Sequence, residues 1–268
     1  MDINATEEDV AAAQAYESLH VPALFSRWPP HVAKTAQIES GQRVLDVACG
    51  TGTLARHIAP LVGINGSVTG INPGAGMLAI AKNLAPSIEW QQGTAEALPY
   101  DDESYDAVVS QFGLMFFQDR IAALRDMLRV LVPGGRIAVA VWDSLENSEA
   151  YPLEVELFER LAGEHAAEAM RAPFALGNPN ELATLFEEAG AESVSVATYH
   201  ETAKFPSIRA MVEADLRGWL PIMGVDLDET LIQTILAEAE EVLSQYRTAD
   251  GNVEFDAPAH IVSAKKSL

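Results

Sequence analysis

One stretch of the sequence decides the fold, Val44-Leu45-Asp46-Val47-Ala48-Cys49-Gly50-Thr51-Gly52-Thr53-Leu54-Ala55. Its first four residues are mostly apolar and suit a buried strand. Gly50 and Gly52 then allow backbone angles and close approaches that a side chain would forbid. The residues from Leu54 onward can open a helix whose free N–H groups face the turn. Such a turn holds a nucleotide-like ligand at the mouth of a parallel sheet, and Asp46 adds an acid where a ligand ammonium could sit.

The composition limits the partners and the compartment that we expect. The chain has 268 residues and a formal net charge of −22, so it repels phosphate backbones and we expect no nucleic-acid partner. Its one cysteine, Cys49, excludes an intramolecular disulfide and a cysteine-based zinc site. The sequence shows neither a signal-peptide pattern near its start nor an apolar run long enough for a membrane span. We therefore expect a cytoplasmic protein and leave its oligomeric state open.

Strands and helices alternate along the middle of the chain. Helices such as Leu54–Leu61 and Gly76–Leu84 fall between predicted strands, and a later helix starts at Asn178 and Pro179 and ends at Gly190. Alternation of this kind predicts a parallel sheet with helices on both faces. The predicted strands are Arg43–Ala48, Val68–Ile71, Ile88–Gln91, Tyr105–Ser110, Arg136–Trp142, Ser193–His200 and a final strand that includes Phe255 and Ile261–Ala264.

Groups of glycine and polar residues follow the first four predicted strands. Because open α/β sheets bind ligands at the carboxyl ends of their strands, we expect these groups to line one site. A polar side chain about 20 residues after the glycines, here Asn72, can reach ribose hydroxyls. The four groups are Asp46 to Gly52, Gly70-Ile71-Asn72, Gly93 to Pro99, and Ser110 to Phe116.

Together these motifs resemble the class I S-adenosylmethionine-dependent methyltransferases, and within them the ubiquinone/menaquinone biosynthesis C-methyltransferases. The resemblance rests on Asp46-x-x-Cys49-Gly50-Thr51-Gly52, on Leu98-Pro99 and on a predicted turn at Pro133-Gly134-Gly135. It covers about Tyr16 to Trp142. It implies a Rossmann-like α/β fold with a seven-stranded, mostly parallel sheet and an antiparallel last strand. It also implies S-adenosyl-L-methionine as the cofactor and a small, partly apolar molecule as the methyl acceptor.

We expect residues 1–268 to form a single methyltransferase domain with three parts. Residues 1–40 are predicted to form an N-terminal helical lid, and residues 41–145 the cofactor-binding core. Two late strands separated by long helices indicate a sheet edge that carries a helical insertion. This insertion, residues 206–251, is expected to cap the acceptor site.

The resemblance also implies the cofactor contacts, residue by residue. Asp46 is expected near the methionine ammonium, Asn72 at the ribose hydroxyls, and Gln111 beside the methionine end. The chain departs from the family at Asn72 and Thr94, because acidic residues are usual there. Asn72 can still accept a hydrogen bond, but it brings no charge. The expected cofactor-binding residues are Asp46, Ala48, Gly50, Gly52, Asn72, Pro73, Met77, Thr94, Ala95 and Gln111.

Four large side chains near the same strand ends are expected to bind the substrate. Phe112, Met115 and Phe116 follow the fourth strand, and Trp142 ends the fifth. For Phe112 and Met115, packing in the core is an equally good interpretation. The six histidines show no metal-ligand spacing, so we expect no metal. The catalytic residue stays unknown, because holding the acceptor in line with the methyl group supplies much of the rate.

Two other interpretations remain open on the sequence. Gly50-x-Gly52-x-x-Ala55 also satisfies the dinucleotide fingerprint, which would indicate a nicotinamide-dependent oxidoreductase. Asp46 and the two later motifs are not part of that fingerprint. The departures at Asn72 and Thr94 are also compatible with a cofactor-binding protein without transfer activity. The sequence does not distinguish methylation of carbon from methylation of oxygen or nitrogen.

Overall fold

The computed structural model describes residues 5–268, which contain a seven-stranded sheet and a separate two-stranded ribbon. The strands are β1 (Arg43–Val47), β2 (Ser67–Asn72), β3 (Glu89–Gln92), β4 (Tyr105–Gln111), β5 (Leu131–Trp142), β6 (Glu192–Tyr199), β7 (Thr202–Phe205), β8 (Val253–Asp256) and β9 (Ala259–Lys265). The large sheet has the order β3-β2-β1-β4-β5-β9-β6, and β7 pairs with β8.

The direction of the strands confirms the predicted fold class. β1 pairs in parallel with β2 and β4, and the parallel pairing continues to β3 on one side and β5 on the other. β9 lies between β5 and β6 and runs antiparallel to both. The chain order reverses between β1 and β4, and ligands bind at such a switch point in open α/β sheets.

Helices cover both faces of the sheet and its carboxyl edge. Two π-helical segments, Tyr16–Phe25 and Asp215–Trp219, interrupt the α-helices. Asn178 caps α8, and Pro179 is its first residue, as predicted. The α-helices are α1 (Glu7–Ala15), α2 (Pro29–Thr35), α3 (Thr53–Val62), α4 (Ala75–Leu84), α5 (Arg120–Arg129), α6 (Tyr151–Ala162), α7 (Glu164–Arg171), α8 (Pro179–Glu188), α9 (Ile208–Ala214), α10 (Leu220–Ile222) and α11 (Glu229–Val242).

The N-terminal helices lie against the core helices near the carboxyl edge of the sheet. α1 packs on α4 at Gly76, where a Cβ atom would lie 2.2 Å from the Asp9 carbonyl oxygen. An ion pair of 2.7 Å joins Glu17 to Arg56 on α3. The described part of the predicted lid therefore packs against the core helices α3 and α4. Residues 1–4 of the predicted lid lie outside the described residues.

The helices after β7 share the main hydrophobic core. Ile232, Ile235 and Leu236 on α11 are buried in the same continuous cluster as the sheet residues Val44 and Val139. Deleting these helices would expose that cluster to water, at a cost of about 25 cal/mol for each Å² of apolar surface. Point substitutions are therefore better tests of the 206–251 insertion than its removal.

Two details of the predicted strands were wrong. Phe255 lies in β8, which pairs with β7 in the ribbon rather than continuing the last strand of the sheet. β7 has only four residues, and its partner comes about 50 residues later, so the local pattern gave no signal. β5 begins at Leu131, because the predicted Pro133-Gly134-Gly135 turn is a bulge between two paired segments of this strand.

No helix among residues 5–268 is long and apolar enough to cross a membrane.

Candidate active site

A narrow pocket of about 70 Å³ opens at the carboxyl ends of β1 and β4. Of the expected site residues, the structure brings five into its wall: Asp46, Ala48, Gly50, Gln111 and Phe112. The wall also contains Tyr16, Phe25, Cys49, Thr51, Thr53 and Leu54, which were not predicted as site residues. The pocket is smaller than a typical ligand site of about 300–1,000 Å³, so in this conformation it accommodates only part of a cofactor-sized ligand.

The backbone of the pocket wall adopts left-handed conformations at several positions. The φ angle is +56° at Gly50 and, just outside the wall, +84° at Gly52, as glycine allows. Ala48 and Phe112 also have positive φ angles, of +58° and +57°, which are uncommon for residues with a Cβ atom. Strained residues of this kind cluster at functional sites, where the surrounding structure holds them in place.

Asp46 is completely buried at the end of β1. Its Oδ2 accepts a hydrogen bond from the Ala55 N–H group at 3.0 Å, whereas Oδ1 has no partner within residues 5–268. Burial raises the pKa of Asp46 to about 8, and the hydrogen bond from Ala55 only partly opposes this rise. A buried carboxyl oxygen without a partner indicates a place for a ligand cation or hydrogen-bond donor.

Two other pocket side chains present polar atoms that the described part of the chain leaves without partners. They are Thr51 Oγ1 and Gln111 Oε1, both buried. Gln111 is held in place because its Nε2 donates to the Phe25 carbonyl oxygen at 3.2 Å. Together with Asp46, these atoms give the pocket three acceptor atoms, which suits a ligand that carries several N–H or O–H groups.

Asn72 supports the glycine turn from the end of β2. Its Oδ1 accepts a hydrogen bond from the Gly50 N–H group at 3.2 Å, and the Cys49 N–H group donates to the Ile71 carbonyl oxygen at 3.0 Å. Asn72 therefore connects the turn to the second strand end, where the ribose contact is expected. Its own contact with a ribose stays a prediction.

The remaining expected cofactor residues lie outside the wall of this pocket. Pro73 and Thr94 are exposed, Met77 is half-buried and Ala95 is buried. The Gly93 N–H group donates to the Asn72 carbonyl oxygen at 3.2 Å, which places the third strand-end loop beside the second. The assignment of Pro73, Met77, Thr94 and Ala95 to the cofactor site stays a prediction.

Aromatic rings form a cluster next to the pocket. The rings of Phe112 and Trp142 stack at 3.9 Å between their centroids, and Phe25 and Trp28 pack against both. Met115 is buried, whereas Phe116 is 44% exposed and lies 5.2 Å from the ring of Trp219. Of the expected substrate residues, Phe112 and Trp142 therefore stack on each other beside the N-terminal helices, whereas Phe116 contacts Trp219 in the helices after β7.

Two of the six wall residues that the sequence missed, Tyr16 and Phe25, come from the first π-helical segment, and the other four lie in or just after the glycine turn. Tyr16 and Phe25 lie nine residues apart, and their rings stack at 5.4 Å. Helical periodicity of 3.6 residues does not place them on one face, because a π-helix has a wider turn. Cys49 is buried, and burial raises the pKa of its thiol well above the ordinary value, so it is not an activated nucleophile.

The sheet order, the glycine turn and the orphaned strand-end carboxyl define an α/β protein that binds a nucleotide-like ligand. A profile for the family described as a methyltransferase domain matches residues 44–135. The structure is also similar to that of Haemonchus contortus phosphoethanolamine N-methyltransferase 2 in complex with S-adenosyl-L-methionine. The TM-score is 0.61 at 17% identity, over 96% of this chain and 57% of that one.

Curated relatives narrow the family further. UbiE of Pseudomonas putida, a ubiquinone/menaquinone biosynthesis C-methyltransferase, is 35% identical over 189 residues, which are 65% of this chain and 73% of that protein. The demethylmenaquinone methyltransferase of Staphylococcus epidermidis is 37% identical over 131 residues, and the chain spans only 54% of its length. The chain belongs to the S-adenosylmethionine-dependent methyltransferases and, within them, resembles the UbiE family. These comparisons do not favour a nicotinamide-dependent oxidoreductase.

Proposed function

We propose that this chain transfers the methyl group of S-adenosylmethionine to a small, partly apolar acceptor. The observation that carries the proposal is the Asp46 carboxyl, which is buried at the strand end, lines the pocket and has an Oδ1 without a partner within the described residues. An oxidoreductase fingerprint gives no reason for an acid at this position. A ligand ammonium gives such a reason, because it would neutralise the buried charge of Asp46 and bind its free oxygen.

Each of the following residues has a distinct role in the proposed binding of the cofactor. Asp46 would hold the ammonium, and Thr51 and Gln111 would accept hydrogen bonds from other polar groups of the ligand. Gly50 leaves room above the turn, since a Cβ atom there would meet nothing within 4 Å in residues 5–268. Asn72 would reach the ribose hydroxyls while keeping its bond to the turn. The bound cofactor supplies an electrophilic methyl group, so the protein has mainly to position the acceptor.

We infer that the acceptor carries an aromatic ring with a hydroxyl group. The aromatic cluster of Phe25, Phe112 and Trp142 offers ring faces and edges beside the methionine end of the proposed cofactor site. The relatives whose names specify an acceptor are quinone methyltransferases. The reduced form of such a quinone is an aromatic diol, which suits both the aromatic cluster and transfer to a ring atom.

The predicted division of the domain gives each part a role in this proposal. Residues 41–145 would bind the cofactor, since the pocket wall at Asp46 and Gln111 belongs to them. The lid, residues 1–40, would cover the cofactor through Tyr16 and Phe25. The 206–251 insertion would close the acceptor site from the side of Trp219, beside Phe116. A covered site excludes water, which favours methyl transfer to the acceptor.

Isothermal titration with three ligands tests the cofactor. S-adenosylmethionine and S-adenosylhomocysteine are expected to bind, and NAD is not. A second assay follows tritium from methyl-labelled S-adenosylmethionine into 2-prenyl-1,4-dihydroxynaphthalene and related phenols. Binding of NAD alone would overturn the proposal. Binding of S-adenosylmethionine without transfer to any phenol would instead favour a cofactor-binding protein without transfer activity.

A further inference from the structure

A second group of buried titratable side chains lies next to the pocket, formed by His20, Asp215, Glu154 and Tyr151. His20 is on the lid, Asp215 is in the 206–251 insertion, and Glu154 and Tyr151 are on α6. We refer to these four residues as the His20 cluster. The cofactor site described above uses none of them, so their burial needs another explanation.

His20 connects this cluster to the pocket. Its ring stacks on the ring of Tyr16 at 5.5 Å, and Tyr16 lines the pocket together with Gln111. His20 Nε2 lies 3.9 Å from Asp215 Oδ1, and the two side chains are only 15% and 10% exposed. The other ring nitrogen, Nδ1, is buried and has no partner in the described chain. Nε2 is thus in ion-pair range of a carboxyl group but beyond hydrogen-bond distance from it, and Nδ1 has no partner in the described residues.

A second carboxyl group, that of Glu154, is buried next to Asp215 and has no hydrogen-bond partner among the described residues. Glu154 is 0% exposed, and neither of its oxygens accepts a hydrogen bond within residues 5–268. Burial and the adjoining Asp215 raise the pKa of Glu154 well above its ordinary value. The Asp215 carboxyl thus lies between the buried Glu154 and His20, whose Nε2 it faces at 3.9 Å.

Among residues 5–268, Asp215 is the acid whose carboxyl group lies in ion-pair range of the His20 ring. Asp215 faces it from the insertion, and Tyr16 stacks on it from its own segment. Glu17, the next acid along the lid, is engaged by Arg56 at 2.7 Å. Tyr151 lies beside the two carboxyl groups, and burial raises its pKa well above the ordinary value, so it stays neutral. His20 and Asp215 also lie on the two π-helical segments, a rare geometry that is frequent at functional sites.

We propose that His20 is the general base of the reaction, that Asp215 positions it, and that the acceptor is a hydroxyl-bearing ring whose O–H group meets His20 Nδ1. This inference rests on the proposed function. In the step, Nδ1 takes the hydroxyl proton, the acceptor gives an electron pair to the methyl carbon, and the methyl–sulfur bond breaks with its electron pair on sulfur. The positive charge passes to the imidazolium beside Asp215, and the proton then leaves to solvent.

Nitrogen-15 NMR of the complex with S-adenosylhomocysteine tests the state of the imidazole without any acceptor. We expect a neutral ring at pH 7.5 with the proton on Nε2, towards Asp215, and with Nδ1 free. His20→Gln identifies the signal by its loss. A proton on Nδ1, or a ring that stays charged at this pH, would overturn the proposal whatever the acceptor is.

Kinetics with 2-prenyl-1,4-dihydroxynaphthalene as the probe test the base directly. His20→Gln is expected to lower kcat by about 10²–10⁴-fold, the usual contribution of a general base. Wild-type kcat should rise with pH as the imidazole loses its proton, and the variant should lose this dependence. Asp215→Asn should lower kcat less and shift the pH profile, as expected for a positioning residue. The matched control is His165→Gln, because His165 is exposed on α7.

The cofactor affinity separates this inference from the proposed function. All three variants are expected to bind S-adenosylhomocysteine within twofold of the wild type, because none of the substituted residues lines the cofactor pocket. If the wild-type protein does not bind it, the proposed function fails. If binding is intact but His20→Gln transfers methyl groups at the wild-type rate and pH profile, only the role of His20 is refuted.

Discussion

The cofactor-binding core and the helices that cover it each bury a carboxyl group, and they hold it differently. Asp46 lies at the end of a strand, accepts one backbone N–H group and has a second oxygen without a partner in the described residues. Glu154 lies within α6 and adjoins Asp215, which comes from a distant segment. The core thus takes two of its three unpartnered pocket acceptors, on Asp46 and Thr51, from one short stretch of chain. The covering helices assemble theirs from the lid, α6 and the insertion.

This difference shows where each site is vulnerable. The turn from Asp46 to Gly52 keeps its shape through its own backbone and through Asn72, so a single side chain can be changed without losing the fold. The His20 cluster exists only while three separate segments stay packed together. Substitutions in the core are therefore expected to change the affinity for the cofactor. Substitutions in the covering helices are expected to change the rate of turnover.

The largest expected effect is on the pH dependence of stability. Asp46 and Glu154 both have raised pKa values in the folded protein, to about 8 for Asp46. The unfolded chain loses these protons first, so the stability is fully present below about pH 4 and is lost as pH rises towards the folded pKa. Each group lowers the free energy of unfolding by up to about 1.4 kcal/mol per pH unit in this window.

Urea denaturation at pH 4 to 8 measures this loss in the ligand-free protein. Asp46→Asn and Glu154→Gln are each expected to flatten the decline, whereas His165→Gln should leave it unchanged. If both carboxyl variants follow the wild-type curve, the two groups are not protonated in the folded protein and the comparison between them fails.

The next effect concerns the affinity for S-adenosylmethionine. Asp46→Asn is expected to weaken binding by about 1.5–3 kcal/mol at pH 7.5, the range for hydrogen bonds to charged groups. Because the carboxyl must lose its proton to bind an ammonium, wild-type affinity should also rise between pH 6 and 7.5, and Asp46→Asn should lose this trend. Isothermal titration in two buffers measures both. An unchanged affinity would assign Asp46 a structural role only.

A smaller effect on the affinity for the cofactor is expected from substitutions of Asn72, at the end of β2. Asn72→Ala removes the acceptor for the Gly50 N–H group and should weaken cofactor binding by about 0.5–1.5 kcal/mol. Asn72→Asp keeps an acceptor and adds a charge, so it should bind as tightly as the wild type or more tightly. The expected ribose contact is refuted if Asn72→Ala binds like the parent chain.

The smallest effect is expected on the KM for the acceptor, from a substitution of Phe116 at the exposed edge of the site. Phe116→Ala removes the ring that lies 5.2 Å from Trp219, a contact of about 0.5–1.5 kcal/mol. We expect the KM for the phenol probe to rise a few-fold while the cofactor affinity stays within twofold. Steady-state kinetics and titration measure the two quantities. A change in cofactor affinity alone would move Phe116 out of the acceptor site.

Much of the core could be predicted because its signals are local. The apolar run before Asp46 and the two glycines encode a strand and a turn within about ten residues, and the pocket forms at that point. Four of the ten expected cofactor residues line it. The contacts of the other six stay predictions, since they depend on how far the ligand extends across the strand ends.

The sequence by itself indicated the alternating strands and helices and the glycine turn at a strand end, because hydrophobic periodicity and glycine conformations act over a few neighbouring residues. Its motifs, taken together, carried the resemblance to the family. Only the tertiary structure decided the ribbon of β7 and β8, the packing of Tyr16 and Phe25 at the pocket, and the meeting of His20 with Asp215. These contacts join residues that are from about 50 to nearly 200 positions apart. They form because separate elements bury their apolar faces in one shared core, and no local pattern records which faces will meet.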